Sequence, residues 1–317
     1  GRGCLARCSD VDVRILAHDA EVATAVVDDV LYPLWDAGFA VGHQILLTRE
    51  VLDVAREDLA TATSLLDYRH LAGDRAMSEE LLWRAKGSLF STSELSRFYD
   101  RLLTDSAKRH ERYGDSVYLL EPDVKNGAGG LRDLDVFRWV GAARWGSGEL
   151  EALVRVGAIV PREAAELALA QEMLWCLRNL LHAHAGRRSD RLTFEEQESA
   201  AVLLGYGEGG EAVERLMSDY YVAARAISRG VTMLLARATP TERRRPKDED
   251  LGEGFLLHNG ELTLADASLL EREPATALRL VALAVERHVP LYPWIRDAIM
   301  RSAADAAWCE RLRESKL

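Results

Sequence analysis

The chain has 317 residues, 48% of them hydrophobic, which is enough for one large or two ordinary domains with a substantial core. Its formal net charge of -11 and the mixing of bases with acids argue against a nucleic-acid partner and favour a protein or small-molecule substrate. Its four cysteines have neither zinc nor disulfide spacing, which predicts reduced thiols in a cytoplasmic protein. The sequence lacks an apolar stretch of ~18 residues, so no association with a membrane is predicted.

The first part of the chain alternates strand and helix patterns. Residues 11–16 alternate apolar and polar side chains, which predicts a strand with Asp10 and Asp12 on one side and the valines and isoleucine on the other. Helical spacing, a second strand and two long uninterrupted helical patterns follow. They cover residues 21–36, 39–47, 49–73 and 77–113.

A glycine-rich turn separates a third predicted strand from another helix. The apolar run at residues 116–121 is ended by Pro122 and predicts a strand, and helical spacing resumes over residues 131–145. More than half of the following ninety residues are alanine, leucine, glutamate and arginine, in helical patterns. We therefore predict an α+β fold with a small mixed sheet in residues 1–146 and a mostly helical domain in residues 147–317.

The end of the chain contains one hairpin pattern. Asn-Gly accepts the positive φ angles of a tight turn, so its place between two apolar runs predicts a β-hairpin over residues 255–264. Two helices, at about residues 274–288 and from 293 to the end, are predicted to close the chain.

The aspartates of the first strand suggest a metal site. Two acids at positions i and i+2 of a strand point the same way, so the carboxylates of Asp10 and Asp12 can converge on hard cations such as Mg²⁺. A third acid on a neighbouring strand would complete a site for two ions, and Glu121 is the preferred candidate, with Asp123 as the alternative. A solvated strand end is the structural alternative for the aspartate pair.

Two glycine-bearing turns suggest phosphate binding. Gly1, Arg2 and Gly3, followed by Ser9, lie just before the first strand, where an open backbone could present N–H groups to phosphates. The turn containing Gly129 and Gly130 could form a second anion site at the start of a helix, with Lys125 and Arg132 supplying full charges. Each turn could instead be an ordinary connection.

Histidines and arginines of the helical part carry weaker signals. His182 and His184 do not share a helix face, so packing or surface placement is favoured over metal binding. Arg187, Arg188 and Arg191 could contact a nucleotide or a protein substrate, but capping and salt bridges explain them equally well.

Several segments together resemble a known family. The sequence is similar to the bifunctional uridylyltransferase/uridylyl-removing enzymes that modify the nitrogen-regulatory PII protein, within the polymerase-β-like nucleotidyltransferases. The segments that carry the resemblance are residues 1–12, 41–43, 55–59, 71–74, 121–133 and 186–194. Glu-Pro-Asp-x-Lys with Gly-Gly-Leu-Arg-Asp is quite specific, whereas the aspartate pair is shared by the whole superfamily.

The resemblance implies a fold, an activity and partners. Residues 1–146 would be the nucleotidyltransferase domain, Asp10 and Asp12 would bind Mg²⁺, and UTP would donate UMP to a tyrosine of PII. In the family another glycine precedes Gly1, and the chain starts without methionine, so we expect a piece of a longer protein. The metal-dependent HD domain that removes UMP and the ACT domains that sense glutamine are expected outside these residues.

Two other functions remain open from the sequence. One is a different nucleotidyltransferase, such as an adenylyltransferase acting on another protein or on a small molecule. The other is a non-catalytic regulatory fragment that binds a nucleotide without turnover.

Overall fold

The computed structural model describes residues 5–6, 8–239, 248–258, 260–266 and 268–315. The chain divides into two compact units between residues 240 and 241, whereas the sequence analysis places the boundary between 146 and 147. The difference arises because helices on both sides of residue 146 bury their apolar faces in one hydrophobic core.

The first strands and the helix between them form as predicted. Strand β1 (Val11–Ala17) pairs in parallel with β2 (Val41–Leu47), so that Asp12 lies opposite Gly42. The connection is a continuous helical segment made of α1 (Ala20–Val26), a π-helical stretch (Val27–Leu31) and α2 (Tyr32–Asp36). The predicted mixed sheet is thus a two-stranded parallel sheet in this unit.

The two long helices predicted after β2 are each divided in two. Asp58 and Asp74 have extended backbones, and their carboxylates accept backbone N–H groups at the start of new helices, so each aspartate is an N-cap. A turn that begins at Ser91 separates the last pair, since the Ser91 carbonyl accepts from both Glu94 and Leu95. The four helices are α3 (Val51–Glu57), α4 (Leu59–Leu66), α5 (Arg75–Ser88) and α6 (Leu95–Tyr113).

The strand predicted over residues 116–121 is wrong. The segment consists of turns, with Tyr118 and Leu120 exposed. Two of its carbonyl groups accept hydrogen bonds from side chains and not from a neighbouring strand. The Leu119 oxygen accepts from the Tyr221 hydroxyl, and the Leu120 oxygen accepts from the Gln197 amide. The helix predicted after the glycine turn is confirmed as α7 (Leu131–Trp145).

Long helices build the rest of the first unit. Helix α7 packs against α9 and α11 around side chains with essentially no exposure, such as Phe137, Leu174 and Ile227. Burying side chains of this size stabilises the fold by ~1.5–3 kcal/mol each before entropy is counted. The helices are α8 (Leu150–Arg155), α9 (Pro161–Ala185), α10 (Phe194–Leu203) and α11 (Gly210–Ala238).

The second unit has its own core beneath a three-stranded antiparallel sheet. The predicted hairpin is confirmed by β4 (Phe255–His258) and β5 (Glu261–Leu264), while Asn259 of its turn lies outside the described residues. Strand β3 (Asp248–Gly252) adds to β4. The helices are α12 (Leu269–Arg272), α13 (Ala275–Glu286), α14 (Pro293–Ala303) and α15 (Ala306–Glu314). Among the described helices, none has the length and apolar character needed to cross a bilayer.

Candidate active site

A cavity of about 190 Å³ is lined by residues from β1, α7 and α9 and by the segments before β1, before α7 and after α9. Basic side chains exceed acidic ones in its lining, which favours an anionic ligand. The basic residues are Lys125, Arg132, Arg138, Arg178 and Arg188, and the acidic residues are Asp10, Asp12 and Asp135. Ser9, Trp175 and three leucines complete the lining.

The acidic side of the cavity is the beginning of β1. Asp10 and Asp12 are both exposed, and Asp10 Oδ2 lies 3.3 Å from Arg188 Nη1. A Cβ atom at Gly42 on β2 would overlap Asp12 Oδ1, so the glycine leaves room for this carboxylate. Such a pair fits Mg²⁺, which in phosphate-transfer sites is often held by one or two carboxylates together with phosphate oxygens.

The basic side of the cavity is held by a short pairing between two distant segments. Val124 donates its N–H to the Asp190 carbonyl at 2.8 Å, and Leu192 donates to the Pro122 carbonyl at 2.9 Å. This pairing places Lys125 beside the arginines that follow α9. Burial and then the charges of Arg178, Arg188 and Arg132 lower the pKa of Lys125, and the charge of Asp190 offsets them only in part.

Asp190 is the buried anion that organises these cations. Its Oδ1 accepts from Arg178 Nε at 2.7 Å and lies 3.1 Å from His182 Nε2, and its Oδ2 lies 3.7 Å from Arg188 Nε. Burial alone raises the pKa of this carboxyl, but the hydrogen bond and charge of Arg178 and the hydrogen bond from His182 outweigh it, so the pKa lies below its usual range. Asp190 therefore stays charged and fixes the basic side.

Comparisons with known proteins identify the family to which this site belongs. The family model described as GlnD PII-uridylyltransferase matches residues 97–235, which include Lys125, Arg178 and Asp190. The enzyme named bifunctional uridylyltransferase/uridylyl-removing enzyme from Nitrobacter hamburgensis is 33% identical over 95% of this chain and 34% of its own length. The enzymes of that name from Phenylobacterium zucineum and Aliivibrio fischeri are 33% and 35% identical, over 96% and 74% of this chain.

The chain belongs to the GlnD PII-uridylyltransferase family. It spans about a third of the length of the curated relatives that it matches, 34% of the Nitrobacter hamburgensis and Phenylobacterium zucineum enzymes and 27% of the Aliivibrio fischeri enzyme. No solved structure matches it. Family membership therefore rests on sequence, and the polymerase-β-like form of its fold stays a prediction.

Five of the residues predicted from the sequence of this GlnD-family chain lie together at the cavity. They are Ser9, Asp10, Asp12, Lys125 and Arg132. The predicted phosphate-binding residues Gly1, Arg2 and Gly3 lie outside the described residues. The sequence analysis missed Trp175, Arg178, Asp135 and Asp190, because single charged or aromatic residues on helices and loops have no distinguishing spacing.

The turn at Gly129 and Gly130 differs from the predicted phosphate site. Gly129 donates its N–H to Asp133 Oδ2 at 2.8 Å, and Gly130 donates to the Gly127 carbonyl at 3.0 Å, so neither amide faces a ligand. Gly129 has φ +73°, and a Cβ atom there would overlap the backbone of Ala224 on α11. Close packing and a left-handed backbone require this glycine.

Glu121 and Asp123 are not joined to the aspartate pair. Glu121 Oε2 accepts from Arg191 Nη2 at 3.0 Å and its Oε1 accepts from the Phe194 N–H at 3.1 Å, at the start of α10. Asp123 Oδ1 accepts the N–H groups of Lys125 and Asn126 at 3.0 and 2.6 Å. Across the described ranges, no three His, Cys, Asp or Glu side chains are grouped to hold a metal ion. The expected metal site with Glu121 or Asp123 as a third carboxylate is therefore not formed, and Asp10 and Asp12 remain as the candidate ligands.

Glu121→Gln is expected to leave the binding of Mg²⁺ to the chain unchanged. The glutamine keeps an oxygen for the Phe194 amide and loses only an ion pair whose arginine is 66% exposed, which contributes ~1 kcal/mol or less. The measurement is the dissociation constant of Mg²⁺, determined by calorimetry for wild type and variant. An increase of ~10-fold or more would return Glu121 to the metal site.

Proposed function

We propose that this chain carries out the uridylyl transfer for which its family is named, moving UMP from UTP to a tyrosine of the PII signalling protein in nitrogen regulation. The tyrosine oxygen forms a bond to the α-phosphorus of UTP, the bond to the bridging oxygen of the β-phosphate breaks, and pyrophosphate leaves while the hydroxyl proton is released. The observation that carries the proposal is one cavity in which two exposed carboxylates face an excess of arginine and lysine. That combination suits a metal-bound polyphosphate.

Each side of the cavity has a separate task in this proposal. Asp10 and Asp12 would hold Mg²⁺, which when bound would supply positive charge to the reacting phosphates. Lys125, Arg132 and Arg188 would bind the phosphate oxygens and offset the charge of the leaving pyrophosphate. Lys125 is suited to this role because neighbouring arginines lower its pKa, and an entering phosphate would counter their repulsion.

The size of the cavity indicates which part of the nucleotide it receives. Its volume of about 190 Å³ is below the ~300–1,000 Å³ of pockets that enclose whole small molecules. Its charged residues outnumber its apolar ones. We therefore assign it to the triphosphate end of the nucleotide, where charge and not shape determines binding.

The deciding experiment incubates the purified chain with Mg²⁺ and PII and either UTP or ATP, and measures modified PII by mass spectrometry. Addition of UMP with UTP, and none of AMP with ATP, supports the proposal. Addition of AMP would instead identify an adenylyltransferase. Nucleotide binding without either product would show that this chain alone is a regulatory fragment and that transfer needs more of the protein.

Lys125→Ala is expected to weaken binding of UTP by about 10–100-fold, because a charge-assisted hydrogen bond to phosphate is worth ~1.5–3 kcal/mol. Lys108→Ala is the matched control, since Lys108 is exposed on α6 and does not line the cavity. The dissociation constant of UTP is measured by calorimetry for both variants. Equal affinities would remove Lys125 from the phosphate site.

A further inference from the structure

His182 has both ring nitrogens engaged inside the protein. It lies near the end of α9 with no exposed surface. Its Nδ1 accepts the backbone N–H of Cys8 at 3.2 Å, and its Nε2 lies 3.1 Å from Asp190 Oδ1. Because a backbone amide can only donate, Nδ1 carries no proton, so Nε2 carries it and donates to Asp190. One neutral tautomer satisfies both contacts.

These contacts connect the two sides of the cavity. Cys8 lies two residues before Asp10, and the ladder of β1 and β2 begins only after Asp10, where Val11 donates to the Ala40 carbonyl at 2.8 Å. The backbone of Asp10 is therefore held from its amino-terminal side by the Cys8 contact. On the other side of His182, the Asp190 carboxylate also binds Arg178. The Asp190 carbonyl accepts the N–H of Val124 and so holds the segment that carries Lys125.

We propose that His182 is a positioning residue that fixes the loop carrying Asp10 for metal binding. This inference rests on the proposed function, in which Asp10 and Asp12 are the metal ligands. Metal and substrate groups must be held within ~0.5 Å for efficient chemistry, and Asp10 is too exposed for packing to hold it. Leu174, Leu177 and Leu181 of α9 fill the core next to His182, so packing alone does not require a histidine at this position.

Two substitutions separate the contacts of the imidazole. His182→Gln places an amide near the position of Nε2 and keeps a partner for Asp190, but loses the acceptor for Cys8. His182→Asn places its oxygen near the position of Nδ1 and keeps that acceptor. His184→Gln is the control, since His184 is exposed on the same helix and pairs with Glu196 instead.

Two readouts avoid catalysis. Hydrogen exchange reports protection of the Cys8 amide without metal, and electron paramagnetic resonance reports the dissociation constant of Mn²⁺ alone. We expect His182→Gln to accelerate exchange at Cys8 and weaken Mn²⁺ binding by about 10–100-fold, as for other residues that orient metal ligands. His182→Asn and His184→Gln are expected to remain within ~3-fold of wild type on both readouts.

A second pair of variants covers the case in which His182→Gln does not fold. Cys8→Pro removes the amide hydrogen and leaves His182 and Asp190 unchanged, whereas Cys8→Ala keeps the amide. We expect only the proline variant to lose Mn²⁺ affinity. Wild-type Mn²⁺ affinity in His182→Gln or in Cys8→Pro, alongside weakened binding in Asp12→Asn, would overturn the positioning role alone. Wild-type affinity in Asp12→Asn would instead overturn the metal site and the proposed function with it.

Discussion

Asp12→Asn is expected to reduce Mg²⁺-dependent UMP transfer by at least ~10²–10³-fold, the loss typical of removing one group that stabilises transition-state charge. Asp12 is exposed at the cavity, and Gly42 leaves space for its carboxylate. Asparagine has the same shape but no charge, so the substitution tests charge and not packing. Transfer is measured as the initial rate of UMP addition to PII at saturating UTP.

The Asp12→Asn protein is expected to stay folded. Substitutions of exposed residues outside caps and buried networks usually change stability by about 0.5 kcal/mol or less. Asp29→Asn is the control, because Asp29 is an exposed aspartate in the π-helical stretch and does not line the cavity. An unchanged transfer rate in Asp12→Asn would remove the aspartate pair from the mechanism.

The sequence predicts the acidic side of the site well because short-range geometry builds it. Asp12 lies on β1 and Asp10 directly precedes the strand, so both carboxylates reach the cavity at the start of β1, as the alternating sequence predicts. Lys125 and Arg132 flank a turn that leads into α7, so their joint position also follows from the local sequence.

The other half of the basic side depends on contacts that local patterns do not encode. Asp190 reaches Lys125 only because residues 122–124 pair with residues 190–192. That pairing joins segments about seventy positions apart through an isolated bridge and not through strands. No periodic pattern in the sequence therefore predicts it. The prediction of Glu121 as a metal ligand has a different origin. Its apolar neighbours indicate a strand, but the structure has turns at these residues.

Helix boundaries show a different cause of error. The patterns over residues 49–73 and 77–113 are helical in their apolar spacing, and that spacing alone predicted continuous helices. Within the first pattern Asp58 instead accepts a backbone N–H group and begins a new helix, and a turn at Ser91 divides the second pattern. An aspartate before a good helix former is an N-cap signal, so the division at Asp58 could have been read from the sequence.

Asp133→Asn is expected to destabilise the first unit by about 3–5 kcal/mol, the usual cost of leaving a buried charge without its partner. Asp133 lies in the first turn of α7 with 7% of its side chain exposed, 2.6 Å from Arg109 Nη2 and 3.0 Å from His110 Nε2. Its other oxygen accepts the Gly129 N–H. The substitution therefore leaves the buried Arg109 without its carboxylate partner, a change that urea denaturation followed by helical circular dichroism will measure.

Asp105→Asn is the matched control for this measurement, because Asp105 is exposed on the same helix as Arg109 and His110. Its free energy of unfolding is expected to stay within about 0.5 kcal/mol of wild type. A similarly small change in Asp133→Asn would mean that Arg109 finds another acceptor, as its second contact with the Asn126 carbonyl at 2.7 Å could allow.

The pH dependence of the same variant distinguishes charge from shape. Burial raises the pKa of the Asp133 carboxyl, but the hydrogen bond from His110 and the charge and hydrogen bond of Arg109 outweigh it and hold the pKa below its usual range. A lowered folded pKa stabilises the protein above the unfolded pKa of ~3.9, and this contribution is lost as the pH falls through the folded value. The stability difference between wild type and Asp133→Asn should therefore narrow as the pH falls below ~4. A difference that persists in acid would show that Asp133 acts through its shape and neutral hydrogen bonds, because the protonated wild type would then still be more stable than the variant.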